Sequence, residues 1–138
     1  MKTIGWVMAA AMTACAAPAL AGDLTVHLEG VSAQGGQMLI SRQTREQFMK
    51  PAGANGAFGE AVAGTQTFTV RGVAPGEYAV MVMHDANSDW QMEYGPDRKP
   101  AEGWAMSGQS GAGRPTFETT KIVVPAEGGE LTLRMVYP

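Results

Sequence analysis

Apolar and polar residues alternate along several short segments of the chain. From Asp23 to Glu29 every second residue is apolar, which is the period of a strand with one buried face. Alternation resumes from Thr65 to Arg71 and appears again from Glu130 to Tyr137. Shorter strands are predicted from Gln37 to Ser41 and from Phe117 to Val124.

The segment from Glu77 to His84 differs from these strands because it is apolar on both faces. Tyr78, Val80 and Val82 alternate with one alanine and two methionines. A strand of this kind is typical of the centre of a sheet whose second face is also covered. Pro75-Gly76 precedes it and predicts a tight type II turn.

The segments between the predicted strands are of two kinds. Arg42 to Lys50 carries helix-favouring residues, but its length does not decide between helix and strand. Pro51 to Gly64 is rich in glycine and alanine and is interpreted as a connection. Strand signals then stop at Asp85 and return at Phe117, which leaves about thirty residues of loop, whereas structureless connections beyond roughly 12 to 15 residues are uncommon. A functional site is therefore expected in this loop.

Together these elements predict an all-β fold without a long helix. Short strands separated by glycine and proline turns are typical of a single antiparallel β-sandwich, immunoglobulin-like in type, here with about six to eight strands and one long loop. No internal repeat or domain boundary interrupts the pattern. Residues 22–138 are therefore expected to form one domain.

The first residues of the chain, 1–21, have the layout of a secretory signal peptide. Lys2 is followed by an apolar run from Ile4 to Ala14 and by Ala19-Leu20-Ala21. The run is too short to span a bilayer, which needs about 20 apolar residues. Cleavage near Ala21 would leave Gly22 as the first residue and would place the domain in the periplasm or outside the cell.

Cysteine content and charge argue against several classes of partner. Cys15 is the only cysteine, and cleavage after Ala21 would remove it. Met12-Thr13-Ala14-Cys15 loosely resembles a lipoprotein box, but Met12 stands where such boxes usually have leucine, so a lipid anchor at Cys15 is not expected. The net charge of −3 becomes more negative once Lys2 is lost, which argues against nucleic acid or an anionic membrane as partner.

Several short motifs between Gly76 and Phe117 resemble a known family. They are Gly76-Glu77-Tyr78-Ala79-Val80, His84-Asp85 with Asn87, Pro100-Ala101-Glu102-Gly103-Trp104 with Ser107, and Pro115-Thr116-Phe117. The set resembles the bacterial family called domain of unknown function 2141. The resemblance implies an exported single-domain β-sandwich, transthyretin-like in outline, and no particular activity. Family members usually continue after the His-Asp pair with a longer run of Asn, Gly and Asp, whereas Trp90 interrupts that run here.

Oxygen-bearing side chains follow the central strand within a short stretch. They are Asp85, Asn87, Asp89 and Glu93. Convergent oxygens of this kind bind hard cations, and calcium is the natural candidate in an exported protein. An EF-hand loop counted from Asp85 would need glycine at Trp90 and an acid at Pro96, so that loop type is excluded. The alternative is that these residues cap turns through hydrogen bonds to the backbone.

His84 and Asp85, with Glu102 further along, suggest acid-base catalysis as another interpretation of this region. Adjacent strand residues point to opposite faces, however, so Asp85 is badly placed to orient the His84 ring. Ser107 and Ser110 lack the glycine spacing of a nucleophile elbow, which argues against a serine triad. We expect His84 to close its strand by hydrogen bonding into the loop, with Glu102 as partner, and we expect no enzymatic activity.

Methionines and aromatic residues are concentrated around the loop. The methionines nearest His84 in the sequence are Met81, Met83, Met92 and Met106. Thioethers and imidazole suit copper(I), but methionine is also a flexible core filler. Trp90, Tyr94 and Trp104 either form an exposed surface for a partner or fold back as a lid over the second face of the central strand.

The sequence therefore predicts a non-enzymatic exported β-sandwich whose loop, residues 85–116, forms a binding surface. The residues expected on this surface are His84, Trp90, Tyr94, Glu102, Trp104 and Ser107. The partner would be a protein, a peptide or a glycan, and no cofactor is required. A weak calcium-binding module is the alternative.

Overall fold

The computed structural model describes residues 21–50, 55–108 and 114–138. Residues 1–20, which hold nearly all of the predicted signal peptide and Cys15, lie outside the described residues, as does Ser110. Within the described part, no helix has the length and apolar character needed to cross a lipid bilayer.

The described residues form strands and one short helix. In chain order these are β1 (Gly22–Val31), β2 (Gln37–Gln43), β3 (Asn55–Glu60), β4 (Gly64–Val73), β5 (Gly76–Asp85), β6 (Gly103–Met106), α1 (Phe117–Thr120), β7 (Lys121–Val124) and β8 (Gly129–Arg134). One sheet has the order β4-β1-β8, and the other has the order β3-β2-β5-β6 with β7 also paired to β5. All pairings are antiparallel except the parallel pair β1 and β8. The predicted all-β sandwich is confirmed.

The core lies between the two sheets and follows the alternation seen in the sequence. Leu24, Val26 and Leu28 of β1 are fully buried, while the residues between them are more exposed. They pack in one cluster with inward residues of β2 and β5, such as Met38 and Val80. Removing this apolar surface from water is the main term that holds the sheets together.

Strand β3 lies inside the segment that was predicted as a connection. Glycine and alanine suggested a loop, but a side chain at Gly56 would collide with the backbone of Ile40 on β2. The small residue is therefore required by the close approach of two strands. Composition alone does not distinguish this case from a flexible connection.

Two further elements differ from the prediction. The four-residue strand β6 lies within the predicted long loop, where it pairs with β5. The segment from Phe117 to Thr120 was predicted to begin a strand, but it forms one helical turn because the Thr116 hydroxyl accepts from the Thr119 amide. A Thr cap of this kind favours a helix start. Strand β7 begins only after this turn, at Lys121.

Strand β5 is central, as its two apolar faces predict. It pairs with β2 on one side and with β6 and β7 on the other. Val80, Val82 and His84 point into the core and are buried. Met81 and Met83 lie on the opposite face and are only half-buried.

His84 is held inside the sandwich by hydrogen bonds to Gly35 and Tyr137. Its Nε2 lies 2.7 Å from the Gly35 carbonyl oxygen, and its Nδ1 lies 2.7 Å from the Tyr137 hydroxyl. Because a carbonyl only accepts, a neutral ring carries its proton on Nε2 and accepts from Tyr137 at Nδ1. The same hydroxyl accepts from the Ser32 amide at 2.9 Å. The predicted partner of His84 was Glu102, and that prediction is wrong because the imidazole faces the interior.

We predict that Tyr137→Phe lowers the free energy of unfolding by about 1 to 3 kcal/mol, since it leaves His84 Nδ1 and the Ser32 amide without their shared partner. Tyr94→Phe is the matched control, because Tyr94 is exposed, and it should change stability by no more than about 0.5 kcal/mol. Urea unfolding followed by tryptophan fluorescence measures both. Equal stability of the two variants would contradict this role of Tyr137.

Candidate functional site

The outer face of the larger sheet carries a groove with a volume of about 710 Å³. Its floor is formed by side chains of β2, β5 and β6, namely Leu39, Met81, Met83, Trp104 and Met106. The outward face of a sandwich is normally polar, because it meets water. An apolar outward face bordered by a loop is therefore the best candidate for a binding site in this fold. We call this groove the outer groove.

The strand register fixes the arrangement of the floor. Met81 on β5 lies directly opposite Met106 on β6, and Met83 lies opposite Trp104. Residues two apart on a strand share a face, so these four side chains form one contiguous block. Opposite residues in an antiparallel pair have Cβ atoms about 4.5 to 5.5 Å apart, which lets the long side chains touch.

The loop after β5 forms one wall of the outer groove. Trp90 is 57% exposed and packs edge to face against Phe58 of β3, with ring centroids 5.1 Å apart. Tyr94 also lines the groove and is 60% exposed. Both rings border the same groove as Met81 and Met83 and are more than half exposed, while the two methionines are half-buried.

The two ends of strand β2, which forms part of the groove floor, lie near groups of different charge. Lys50 lines the groove and follows the end of β2 where Gln43 pairs with Ala79. The Met49 amide donates to the Gln43 side chain at 2.9 Å, which holds this segment near the strand end. At the other end of β2, Gln37 pairs with Asp85, roughly 20 Å away at 3.3 Å per residue. Carboxylates gather at that second end.

Asp85, Asp89 and Glu102 form the carboxylate cluster at the second end. One carboxylate oxygen from each lies within 4.8 Å of the others. Two oxygens that bind the same calcium ion are at most about 5 Å apart, so the spacing fits a single ion. Among the described residues, these are the acidic side chains that geometry brings together for a cation.

Asp85 also has a structural role in this cluster. It is fully buried, and its carboxylate accepts from the Gln37 side chain at 2.8 Å and from the amides of Asp89 and Trp90 at 3.1 and 2.9 Å. A carboxylate has about four lone-pair sites, so one remains for a further partner. The hydrogen bonds shape the turn after β5, as the capping interpretation of the sequence expected.

Asn87 and Glu93, the other predicted cation ligands, lie beside the cluster. The Asn87 amide donates to the Glu93 carboxylate, and it also lies 3.3 Å from Asp89 Oδ2. Glu102, which was not among the predicted cation ligands, joins the cluster because His84 pairs with Gly103. That register sets Glu102 opposite Asp85. Glu102 was not predicted as a ligand because the sequence did not predict β6, the strand that brings the far end of the loop back to β5.

The pKa values of Glu102 and Asp89 are shifted in opposite directions. Burial raises the pKa of Glu102, and the nearby charges of Asp85, Glu93 and Asp89 raise it further, while a hydrogen bond from the Glu93 amide partly offsets them. The pKa of Asp89 is lowered, chiefly because its carboxylate accepts from the Gln91 amide. Ionised Glu102 therefore opposes folding when no cation is present.

His84 and Ser107 were predicted to lie on the binding surface, but the structure places both in the interior. His84 has no exposed surface and faces the core. The Ser107 hydroxyl accepts from the Val80 amide and donates to the Thr120 carbonyl, so it joins β5 to α1. Asp85 lies on the opposite face of β5 from His84, and the three groups of the acid-base interpretation therefore do not converge on one site.

We predict that Glu102→Gln raises the melting temperature at pH 7 in the absence of divalent cations, because it removes a carboxylate whose pKa is higher in the folded state. The stability gained from protonated Glu102 is present below the ordinary pKa of a glutamate and is lost as the pH rises through its higher folded pKa. The difference between the variant and the native protein should thus shrink as the pH falls below the ordinary glutamate pKa. Thermal melts across this range test it, and a difference independent of pH would contradict it.

Comparison with known protein families found a match for this chain. Residues 26–132 match the family described as "Uncharacterized protein conserved in bacteria (DUF2141)". The comparison with curated proteins found no significant match, and neither did the comparison with solved structures. The matched range includes all or part of every strand, together with the outer groove and the carboxylate cluster. The chain belongs to the DUF2141 family.

Proposed function

We propose that the protein is an exported, non-enzymatic binding module that takes a small amphipathic anion into the outer groove. The observation that carries this proposal is the apolar floor on the outward face of a central strand. Met81, Met83 and Met106 leave apolar surface half-exposed there, and covering it with a ligand would release about 25 cal/mol per Å². Small-molecule sites are typically apolar clefts of about 300 to 1,000 Å³, and the groove lies in that range.

Charge supports an anionic head group on the ligand. The described residues that line the outer groove include the cations Lys50 and Arg98 and no carboxylate, although the chain as a whole is acidic. Neither cation forms an ion pair with a described acidic residue. An apolar chain on the methionines would leave its head group beside one of these two cations.

The same lining disfavours a glycan. Sugar binding needs several directed hydrogen bonds in addition to aromatic stacking, whereas the floor supplies mainly thioethers and an indole. Export, proposed from the sequence of residues 1–21, would place the groove where free amphiphiles and lipid fragments occur. Cleavage near Ala21 would leave β1 whole, because that strand begins at Gly22.

We predict that dodecanoate binds the protein and shifts its tryptophan emission, whereas dodecyltrimethylammonium, with the same chain and the opposite charge, binds at least tenfold more weakly. Met81→Glu should abolish dodecanoate binding, because it puts an anion on the floor of the groove. Val123→Glu is the matched control, since Val123 is exposed on β7 and does not line the groove. Equal binding of both amphiphiles, or binding by Met81→Glu, would refute the proposal.

A second candidate function is weak calcium binding at the carboxylate cluster. The observation that favours it is the convergence of three carboxylates, two of them buried, at a spacing that a single ion can bridge. A cation there would remove the repulsion that raises the pKa of Glu102. Because Asp85 already accepts three hydrogen bonds, only weak affinity is expected.

We predict that millimolar calcium raises the melting temperature of the native protein, and that Asp89→Asn and Glu102→Gln each remove most of this shift. Asp97→Asn is the matched control, because Asp97 is an exposed acid of the same loop that lies outside the cluster. It should keep the full shift. The absence of any shift in the native protein would end this candidate.

A further inference from the structure

Sulfur is concentrated in one place on the surface of this protein. Five of the seven methionines in the described part of the chain line the outer groove, namely Met49, Met81, Met83, Met92 and Met106. The other two, Met38 and Met135, belong to the core between the sheets. If methionine served only to fill the core, its residues would be spread through the interior. This distribution therefore indicates another role.

The relative positions of three of these methionines are fixed by the pairing of β5 with β6. Met81 and Met106 are directly paired across β5 and β6, and Met83 is two residues from Met81 on the same face. Their flexible side chains start from Cβ atoms that are about 5 Å apart across the pair and lie on one rigid sheet. Trp104 is paired with Met83, so an indole ring completes the block.

Soft ligands of this kind select a soft ion. Thioether sulfur is a weak hydrogen-bond acceptor but a good donor to copper(I), whereas hard cations and copper(II) prefer oxygen and nitrogen. The face of an indole attracts a cation that lies within about 6 Å of its centroid. We infer that Met81, Met83 and Met106 form a copper(I) site on the floor of the outer groove, with Trp104 beside the ion.

The buried histidine is not part of this site. His84 is next to Met83 in sequence, but it points to the other face of β5 and both of its ring nitrogens already have partners. The site therefore consists of thioethers alone from the strands, and Met49 and Met92 are the other methionines in the lining. Binding involves coordination of the ion without a change in its oxidation state.

This inference goes beyond the proposed binding of amphiphiles, although both use the same floor. An apolar chain needs only the hydrophobic surface of the methionines, whereas a copper ion needs their sulfur. Leucine has nearly the same volume and polarity as methionine, and such exchanges usually cost less than about 1.5 kcal/mol. Replacement of methionine by leucine therefore separates the two functions.

The test is anaerobic titration of the protein with copper(I) against a competing chromophoric chelator, repeated with silver(I) as a redox-inert substitute. The native protein should bind one ion per chain and withdraw it from the chelator. In a background with Trp6→Phe and Trp90→Phe, which leaves Trp104 as the remaining tryptophan, the emission should be quenched in proportion to occupancy. The triple variant Met81→Leu, Met83→Leu and Met106→Leu should lose more affinity than the roughly 10- to 100-fold that removal of an outer partner causes.

The control variant is Met135→Leu, which removes a sulfur from the core and should keep full affinity. Dodecanoate binding by the triple variant reports on the apolar groove independently of the metal. Retained copper(I) affinity in the triple variant, or failure of the native protein to compete with the chelator, would overturn the inference whether or not dodecanoate binds. Loss of copper(I) binding with dodecanoate binding intact would establish it.

Discussion

The structure depends on one strand, β5, that is apolar on both faces. Its inward residues, such as Val80 and Val82, complete the core against β1, so they are required for folding. Its outward residues, Met81 and Met83, contribute nothing to that core and are half-buried. A solvent-facing strand would ordinarily carry polar residues at those positions, because exposed apolar surface costs free energy. The outer groove is the consequence of keeping them apolar.

The end of β5 links the groove to the loop that borders it. Asp85 is buried on the same face as Met83, and it binds Gln37 of the neighbouring strand and two amides of the following turn. These hydrogen bonds fix the direction in which the chain leaves the sheet, and so they fix Trp90 at the groove wall. The strand β6 then returns the chain and sets Glu102 beside Asp85. One carboxylate thereby positions both the aromatic wall and the carboxylate cluster.

The fold could be read from the sequence wherever the period of two was long enough. Strands β1 and β4 have that period, and β5 stands out as a run that is apolar on both faces, so the positions of all three were predicted within a few residues. Strand β3 was missed because the glycine at position 56 reflects contact with Ile40, which no local pattern records. The contacts of His84 and Glu102 were missed for a related reason. Tyr137 lies 53 residues from His84, and Glu102 meets Asp85 only through the β5 and β6 register.

Methionine explains why one surface supports both a proposed organic ligand and a proposed metal ion. A thioether is apolar enough to pack against an acyl chain and flexible enough to adapt to its shape. It is also soft enough to bind copper(I), which valine or leucine cannot do. Branched apolar residues would supply the same hydrophobic surface and would favour the strand more strongly, although they adapt less to the shape of a ligand. The recurrence of methionine at paired positions of β5 and β6 is therefore better accounted for by the sulfur itself than by hydrophobicity.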